Sequence, residues 1–260
     1  MPNTISLGLI IITAGFLHAE APTGIKLQVL QGRPLVDGVF VNGHGPYRFL
    51  LDTGAQTNQM DAILARSLGL QPEFRVEMVT ASGSAFVGGG GGLEVSLGSV
   101  RADRQEFLYT DMTAVRQLSD RIQGVLGQEF LSRFDYLLDL HAKRLDFAPP
   151  PPEGTRVELK TMEGRPAVFT SLGWLVLDTG TDRVVVYGGS AEGGLRVRTA
   201  TGFREAAPVQ AKLMIEGREI SHPDAVQVPP VPGVTEAGLL PGALFRAVYV
   251  SNSSGYAVLQ

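Results

Sequence analysis

The triplet Asp-Thr-Gly occurs twice in this sequence, as Asp52-Thr53-Gly54 and as Asp178-Thr179-Gly180. Each copy ends an apolar run, at residues 49–51 and at residues 174–177. A chain of this composition would hold roughly 0.1 such triplets by chance. An apolar run that ends in this triplet predicts a buried strand entering a tight turn, where glycine permits a close backbone approach. The two turns could therefore present two carboxylates to one site.

Two carboxylates that lie side by side can perform general acid–base chemistry. At a separation of about 3 Å they do not both ionise readily, so they share one proton and titrate as a coupled pair. The ionised member can take a proton from a bound water, while the protonated member stabilises charge that develops on a carbonyl oxygen. Asp52 and Asp178 are the candidates for this pair. The alternative is that both are turn aspartates bonded to local backbone.

An internal repeat surrounds the two triplets, and its elements keep the same order. Flap-like hairpins are predicted downstream of the triplets at Thr80-Ala81-Ser82-Gly83 and at Thr199-Ala200-Thr201-Gly202. Further on, residues 124–131 (GVLGQEFL) correspond to residues 238–245 (GLLPGALF). Because Asp178 follows Asp52 by 126 residues (178 − 52), about half the chain, the sequence predicts two similar halves.

This repeat resembles the pepsin-like and retropepsin-like aspartic proteases, in which two Asp-Thr-Gly loops meet at a pseudo-dyad. The resemblance extends from about Lys26 to the last residue. It implies an all-β fold of two pseudo-symmetric, closed β-barrel lobes with a catalytic cleft between them and few short helices. It also implies hydrolysis of peptide bonds by a water activated between Asp52 and Asp178, with no cofactor and no covalent intermediate.

The resemblance also implies roles for neighbouring residues. Thr53 and Thr179 would brace the loops through hydroxyl bonds to backbone, and Gly54 and Gly180 would permit the close approach. The two predicted hairpins would cover a bound peptide as flaps.

The residue after each triplet differs between the two halves, being Ala55 in the first and Thr181 in the second. A hydroxyl at this position could donate to its carboxylate and favour ionisation. We therefore expect Asp178 to carry the charge and Asp52 the proton.

The proline-rich segment around residues 148–154 is incompatible with a helix or a central strand. It predicts an N-terminal lobe over residues 23–147, a linker over 148–155 and a C-terminal lobe over 156–260. In the first lobe, apolar residues at helical spacing over 58–69 predict a helix with Asn58 as a possible cap. The matching segment of the second lobe, residues 184–187, predicts a strand instead.

Residues 5–17 are largely apolar and precede His18 and Ala19, a pattern that resembles a secretory signal peptide. The stretch is too short to span a bilayer comfortably. We expect residues 1–19 to be removed by cleavage after Ala19, which would leave a secreted or periplasmic protein without a stable membrane span. The alternative is an ordinary apolar first strand.

Composition excludes several other functions. A net charge of −4 disfavours nucleic acid as a partner. The chain has no cysteine, and its four histidines are scattered without ligand spacing, so we expect no metal site. The glycine run at residues 88–92 lacks the Lys-Ser or Lys-Thr of a phosphate loop and favours a flexible hairpin base.

The expected partner is a peptide or protein substrate, and the expected state is a monomer. A bilobed binding module without catalytic activity remains an alternative, as does a dimer formed through the first half alone.

Overall fold

The computed structural model describes residues 24–80, 83–189, 194–199, 202–230 and 233–260. The first half of the chain forms β1 (Ile25–Leu30), β2 (Arg33–Val41), β3 (His44–Leu51), β4 (Asn58–Asp61), β5 (Phe74–Thr80), β6 (Gly83–Leu97), β7 (Val100–Thr110), β8 (Gly124–Leu126), β9 (Tyr136–Asp139) and β10 (Arg144–Phe147). Its helices are α1 (Ala62–Ser67), α2 (Thr113–Arg116) and α3 (Gln128–Leu131).

The second half forms β11 (Thr155–Met162), β12 (Arg165–Thr170), β13 (Gly173–Asp178), β14 (Val185–Tyr187), β15 (Leu195–Thr199), β16 (Gly202–Ile215), β17 (Arg218–Val228), β18 (Gly238–Pro241), β19 (Ala247–Ser251) and β20 (Tyr256–Leu259), with a 3₁₀ turn at Gly242–Leu244. The expectation of a mostly β fold with few short helices is confirmed. The predicted leader over residues 1–19 lies outside the described residues. Within the described ranges, no helix is long and apolar enough to cross a membrane.

The strands that lead to the two triplets have equivalent neighbours. β3 pairs with β2 in antiparallel fashion on one side and with β8 in parallel fashion on the other. β13 pairs in the same way with β12 and β18. The apolar runs are buried, with Leu51 and Leu177 both 0% exposed, as expected for strands covered on both faces. The same arrangement thus delivers each catalytic candidate to the end of a central strand.

Both predicted hairpins are present. Thr80 pairs with Gly83 at the end of β5 and β6, and Thr199 pairs with Gly202 at the end of β15 and β16. Ala81, Ser82, Ala200 and Thr201 lie outside the described residues.

The glycine run lies inside β6, which pairs with both β5 and β7. A Cβ atom at Gly89 would lie 2.5 Å from the Phe74 ring, and one at Gly90 would meet the Tyr109 hydroxyl. The glycines therefore make room for two aromatic side chains. β6 continues as a strand through this run to Leu97, so no helix opens from it.

A six-stranded antiparallel sheet joins the two halves in the order β1, β10, β9, β19, β20, β11. At its centre β9 pairs with β19, from Asp139 opposite Ala247 to Tyr136 opposite Val250. Residues 148–154 connect β10 to β11 without forming a helix or strand. The main apolar core also contains residues of both halves.

The helix predicted over residues 58–69 is present as the shorter α1, but the prediction of Asn58 as its cap was wrong. Asn58 begins β4, where its side chain bonds Gln105 and accepts from the Gly127 backbone N–H. Helix α1 starts at Ala62 and is capped by Asp61, whose carboxylate accepts from the first-turn N–H groups. In the second half, β14 covers most of the segment predicted as a strand, so that prediction is confirmed.

Candidate active site

Asp52 and Asp178 meet at the junction of the two halves because their loops are bonded to each other. The Thr53 hydroxyl donates to the Leu177 carbonyl at 2.5 Å, and the Thr179 hydroxyl donates to the Leu51 carbonyl at 2.7 Å. Each hydroxyl oxygen also accepts from the backbone N–H of the other threonine at 3.1 Å. Both threonines are 0% exposed. Four buried hydrogen bonds therefore fix the relative position of the two aspartates.

Gly54 and Gly180 allow each aspartate to lie over the opposite loop. A Cβ atom at Gly54 would lie 2.5 Å from Cγ of Asp178, and one at Gly180 would lie 2.5 Å from Cγ of Asp52. Real Cβ atoms essentially never approach so closely. The reciprocal contact shows that both carboxyl groups occupy one site, and that only glycine fits at either position.

The surroundings raise the pKa of both carboxyl groups, and they raise that of Asp178 more. Burial raises the pKa of Asp178 well above its ordinary value, and the charge and hydrogen bond of Asp52 raise it further. Burial also raises the pKa of Asp52, but a hydrogen bond from Asp178 and one from the Gly54 N–H at 2.9 Å oppose the rise. Asp178 has one such backbone donor, the N–H of Gly180 at 2.7 Å. Asp52, whose pKa is raised less, is the member that ionises more readily.

This assignment reverses the one expected from the sequence. The Thr181 hydroxyl donates to the Arg183 carbonyl at 3.3 Å, so its single proton is not available to Asp178. The expectation that Thr181 would favour ionisation of Asp178 was therefore wrong. The Ala55 N–H donates to the main-chain carbonyl of Asp52 at 3.2 Å, and each carboxylate accepts from one backbone N–H, that of Gly54 or that of Gly180.

Arg33 is a site residue that the sequence reasoning missed. Its Nε donates to the Gly180 carbonyl at 2.7 Å, and its Nη2 lies 3.3 Å from a carboxylate oxygen of Asp182. The charge of Arg33 also lowers the pKa of both catalytic carboxyls. A signal was present in the sequence, because Gly-Arg-Pro occurs at residues 32–34 and again at residues 164–166. The second arginine, Arg165, pairs with Glu163 and Glu236 instead.

Different residues contact the threonines of the two loops. Gln128, at the start of α3, donates through Nε2 to the Thr53 carbonyl at 2.9 Å. In the second half Gly242 lies against Thr179, where a Cβ atom would come within 2.7 Å of the threonine methyl group. The first loop is thus held by a side-chain hydrogen bond and the second by close packing.

No group of three or more histidine, aspartate or glutamate side chains that could hold a metal ion exists in the described part of the chain. The two aspartates and the N–H groups around them are thus the chemistry that this arrangement presents. They can supply one base and one acid to a water and a carbonyl group placed between them.

Comparison with known proteins gave a family match to part of the chain. A family model described as aspartyl protease matches residues 38–130, a range that contains the first triplet and the first hairpin. This part of the chain is therefore similar to aspartyl proteases. The comparison with curated proteins gave no match. Among solved structures, a retropepsin-like aspartic protease from Rickettsia conorii is 22% identical, with a TM-score of 0.33, over 42% of this chain and 78% of its own.

Proposed function

We propose that this chain is an aspartic endopeptidase that forms its complete active site within one polypeptide. The observation that carries the proposal is the reciprocal contact of the two carboxyl groups with Gly180 and Gly54. Binding alone does not require two acids that share a proton. The match of residues 38–130 to the aspartyl protease model supports the same class.

In the proposed mechanism Asp52 is the base and Asp178 is the acid. Asp52 takes a proton from a water bound between the two carboxyls, and this water attacks the scissile carbonyl carbon. Asp178 donates a hydrogen bond to the carbonyl oxygen and stabilises its developing negative charge. Transfer of the Asp178 proton to this oxygen gives a gem-diol, which leaves Asp178 ionised and Asp52 protonated. The gem-diol collapses when one of its hydroxyls returns a proton to Asp178, while Asp52 protonates the leaving nitrogen and the C–N bond breaks; both aspartates are then in their starting states. The two hairpins would cover an extended peptide, which would bind by backbone pairing.

The proposed architecture is bilobed, with closed β-barrel lobes over residues 23–147 and 156–260 and a linker between them. Pairing of β2 with β6 in the first half supports closure of that lobe. We also propose that the active protein is a monomer. Pairing of β9 with β19 supports this, because the strand that a dimer of first halves would need is already occupied within the chain.

We further propose that the protein is secreted or periplasmic, with cleavage after Ala19. The composition of residues 5–17 supports this proposal. Sequencing the N-terminus of protein recovered from outside the cytoplasm tests it: a mature chain starting at Glu20 is expected, and an intact N-terminus at Met1 would contradict it.

The activity is tested by incubating a mixed peptide library with the purified chain between pH 3 and pH 7. Asp52→Asn and Asp178→Asn are assayed beside it, each with and without a statine-type transition-state mimic. Cleavage that is abolished in both variants and blocked by the mimic is expected. A folded wild-type chain that binds the mimic but cuts no peptide would identify a binding module instead.

A further inference from the structure

The walls beside the two catalytic loops can be compared position by position because their strands repeat in register. β8 meets β3 at Gly124 and β18 meets β13 at Gly238, in each case opposite the residue three before the catalytic aspartate. Ile122 and Glu236 each precede the matching glycine by two residues. They therefore occupy equivalent positions in the two halves.

The first wall is apolar. Ile122 is 0% exposed and belongs to a cluster with Leu35, Leu50 and Val125, against which Ala55 of the first catalytic loop packs. Contact between an apolar substrate side chain and this cluster is favourable, whereas a polar side chain would find no hydrogen-bond partner there.

The second wall contains an ion pair at the same place. The Glu236 side chain is 0% exposed, and its Oε1 lies 2.9 Å from Nη2 of Arg165. Arg165 is shared with Glu163, which it contacts at 3.2 Å. In the described part of the chain neither oxygen of Glu236 has a hydrogen-bond partner of good geometry. A buried carboxylate with open acceptor sites is costly unless a donor fills them.

Tyr187 connects this ion pair to the catalytic centre. Burial raises the pKa of the Tyr187 phenol, and the negative charges of Glu236 and Asp178 raise it further. The Tyr187 backbone N–H donates to the carbonyl of Ala237, the residue after Glu236, at 2.8 Å, which places Tyr187 beside the ion pair. In sequence order Tyr187 follows Asp178 by nine residues on β14, so it belongs to the wall next to the second loop.

The second hairpin is also more polar than the first. The first hairpin has Ala85 two residues after Gly83, and the second hairpin has Arg204 two residues after Gly202. The Arg204 guanidinium donates to the carbonyls of Pro229 and Pro230 at 2.8 and 3.0 Å. It thereby ties the hairpin to the segment that leads to Glu236.

We propose that the two sides of the cleft select different substrate side chains, and that Glu236, held by Arg165, is the determinant of the second side. The inference rests on the proposed endopeptidase function and names its substrate class. The side next to Ala55 takes an apolar residue. The side next to Tyr187 takes a residue with a hydrogen-bond donor at its end, such as lysine or glutamine. An apolar residue there would leave the acceptor sites of the buried Glu236 carboxylate without a donor.

The test uses peptides that differ only in the two residues flanking the cleaved bond, paired as Leu–Leu, Leu–Lys, Lys–Leu, Leu–Gln and Gln–Leu. The wild-type chain is expected to cleave one orientation of the Leu/Lys and Leu/Gln pairs at least 10-fold faster than Leu–Leu, as kcat/KM. Glu236→Gln should lose most of the lysine preference but keep glutamine, because its amide still accepts. The double variant Arg165→Met with Glu236→Ile should favour Leu–Leu.

Glu163→Gln is the matched control, because it removes the other carboxylate of Arg165 and should leave the preference unchanged. A wild-type chain that cuts Leu–Leu as fast as the mixed pairs would overturn the inference while leaving the protease function intact. So would an unchanged ratio in the double variant.

Binding of statine-type mimics carrying leucine or lysine on that side gives a second readout that needs no turnover. We expect the lysine mimic to bind at least 10-fold tighter to the wild type, and Glu236→Gln to abolish the difference. Equal dissociation constants for the two mimics would overturn the selectivity. If the lysine mimic binds tightly but no peptide is cleaved, the proposed catalytic function is refuted and the proposed side-chain selectivity is retained.

Discussion

Thr53 and Thr179 hold each other across the junction of the two halves: each hydroxyl oxygen accepts a hydrogen bond from the backbone N–H of the other residue at 3.1 Å. The two residues are 126 positions apart in the chain and both are fully buried. The position of one catalytic loop therefore depends directly on the other.

Replacing Thr179 with valine should destabilise the fold and reduce activity together. The change removes the bond to the Leu51 carbonyl and leaves the Thr53 N–H buried without its acceptor, which costs about 2–4 kcal/mol in total. Urea unfolding monitored by tryptophan fluorescence measures the loss. Thr181→Val is the matched control, since that hydroxyl makes one 3.3 Å bond at a half-buried position. Equal stability of the two variants would contradict the account.

Replacing Gly180 with alanine should abolish activity without unfolding the chain. The new methyl group would collide with the Asp52 carboxyl and displace it, and a shift of about 1 Å in a catalytic group can cost about 10²-fold in rate. Gly91→Ala serves as the control, because a Cβ atom there has no neighbour closer than 3.5 Å. Hydrolysis rates and circular dichroism of both variants give the result. An active Gly180→Ala protein would show that the two carboxyls do not meet.

Arg33 should set the position of the pH profile. Its positive charge lowers the pKa of both aspartates, and the proposed mechanism requires Asp52 ionised and Asp178 protonated. Arg33→Gln should therefore raise both pKa values and move both limbs of the kcat/KM profile to higher pH. Arg33→Lys keeps the charge and should stay near the wild type.

Thr181→Val should leave the same pH profile unchanged, since the Thr181 hydroxyl donates to the Arg183 carbonyl rather than to Asp178. A shift of the pH profile in Thr181→Val would contradict the proton assignment. An unshifted profile in Arg33→Gln would contradict it as well.

Burial of Asp178 should make the fold less stable as pH rises. Its pKa is raised in the folded state, so the folded chain binds more protons than the unfolded chain above about pH 4, where an unfolded aspartate titrates. The free energy of unfolding therefore falls as pH increases toward the raised pKa. Asp178→Asn removes this titration and should be the more stable protein at pH 7, with a smaller advantage at pH 4. Chemical denaturation of both proteins at the two pH values measures the difference.

The sequence predicted those features that depend on local patterns. An apolar run followed by Asp-Thr-Gly specified a central strand and a tight turn, and its repetition predicted two such turns with two hairpins. Other features depend on contacts between distant residues. Arg33 bonds Gly180, 147 positions away, and Asn58 is drawn into β4 because that strand pairs with β7 and β8. No local pattern contains these partners.

The proton assignment failed for a related reason. The side-chain difference between Ala55 and Thr181 was visible in the sequence, but the direction of the Thr181 hydroxyl was not. The groups that surround each carboxyl in the folded chain determine which one ionises more readily. Their orientation follows from the folded loops and cannot be read from residue types.

The most direct test of the central claim is a mixing experiment with Asp52→Asn and Asp178→Asn. Peptide hydrolysis is measured for the wild type, for each variant, and for an equal mixture refolded together. If one chain supplies both carboxyls to its own site, the wild type cuts and neither variant nor the mixture does. Hydrolysis by the mixture at about a quarter of the wild-type rate or more would contradict the account, because it would show that two chains share each active site.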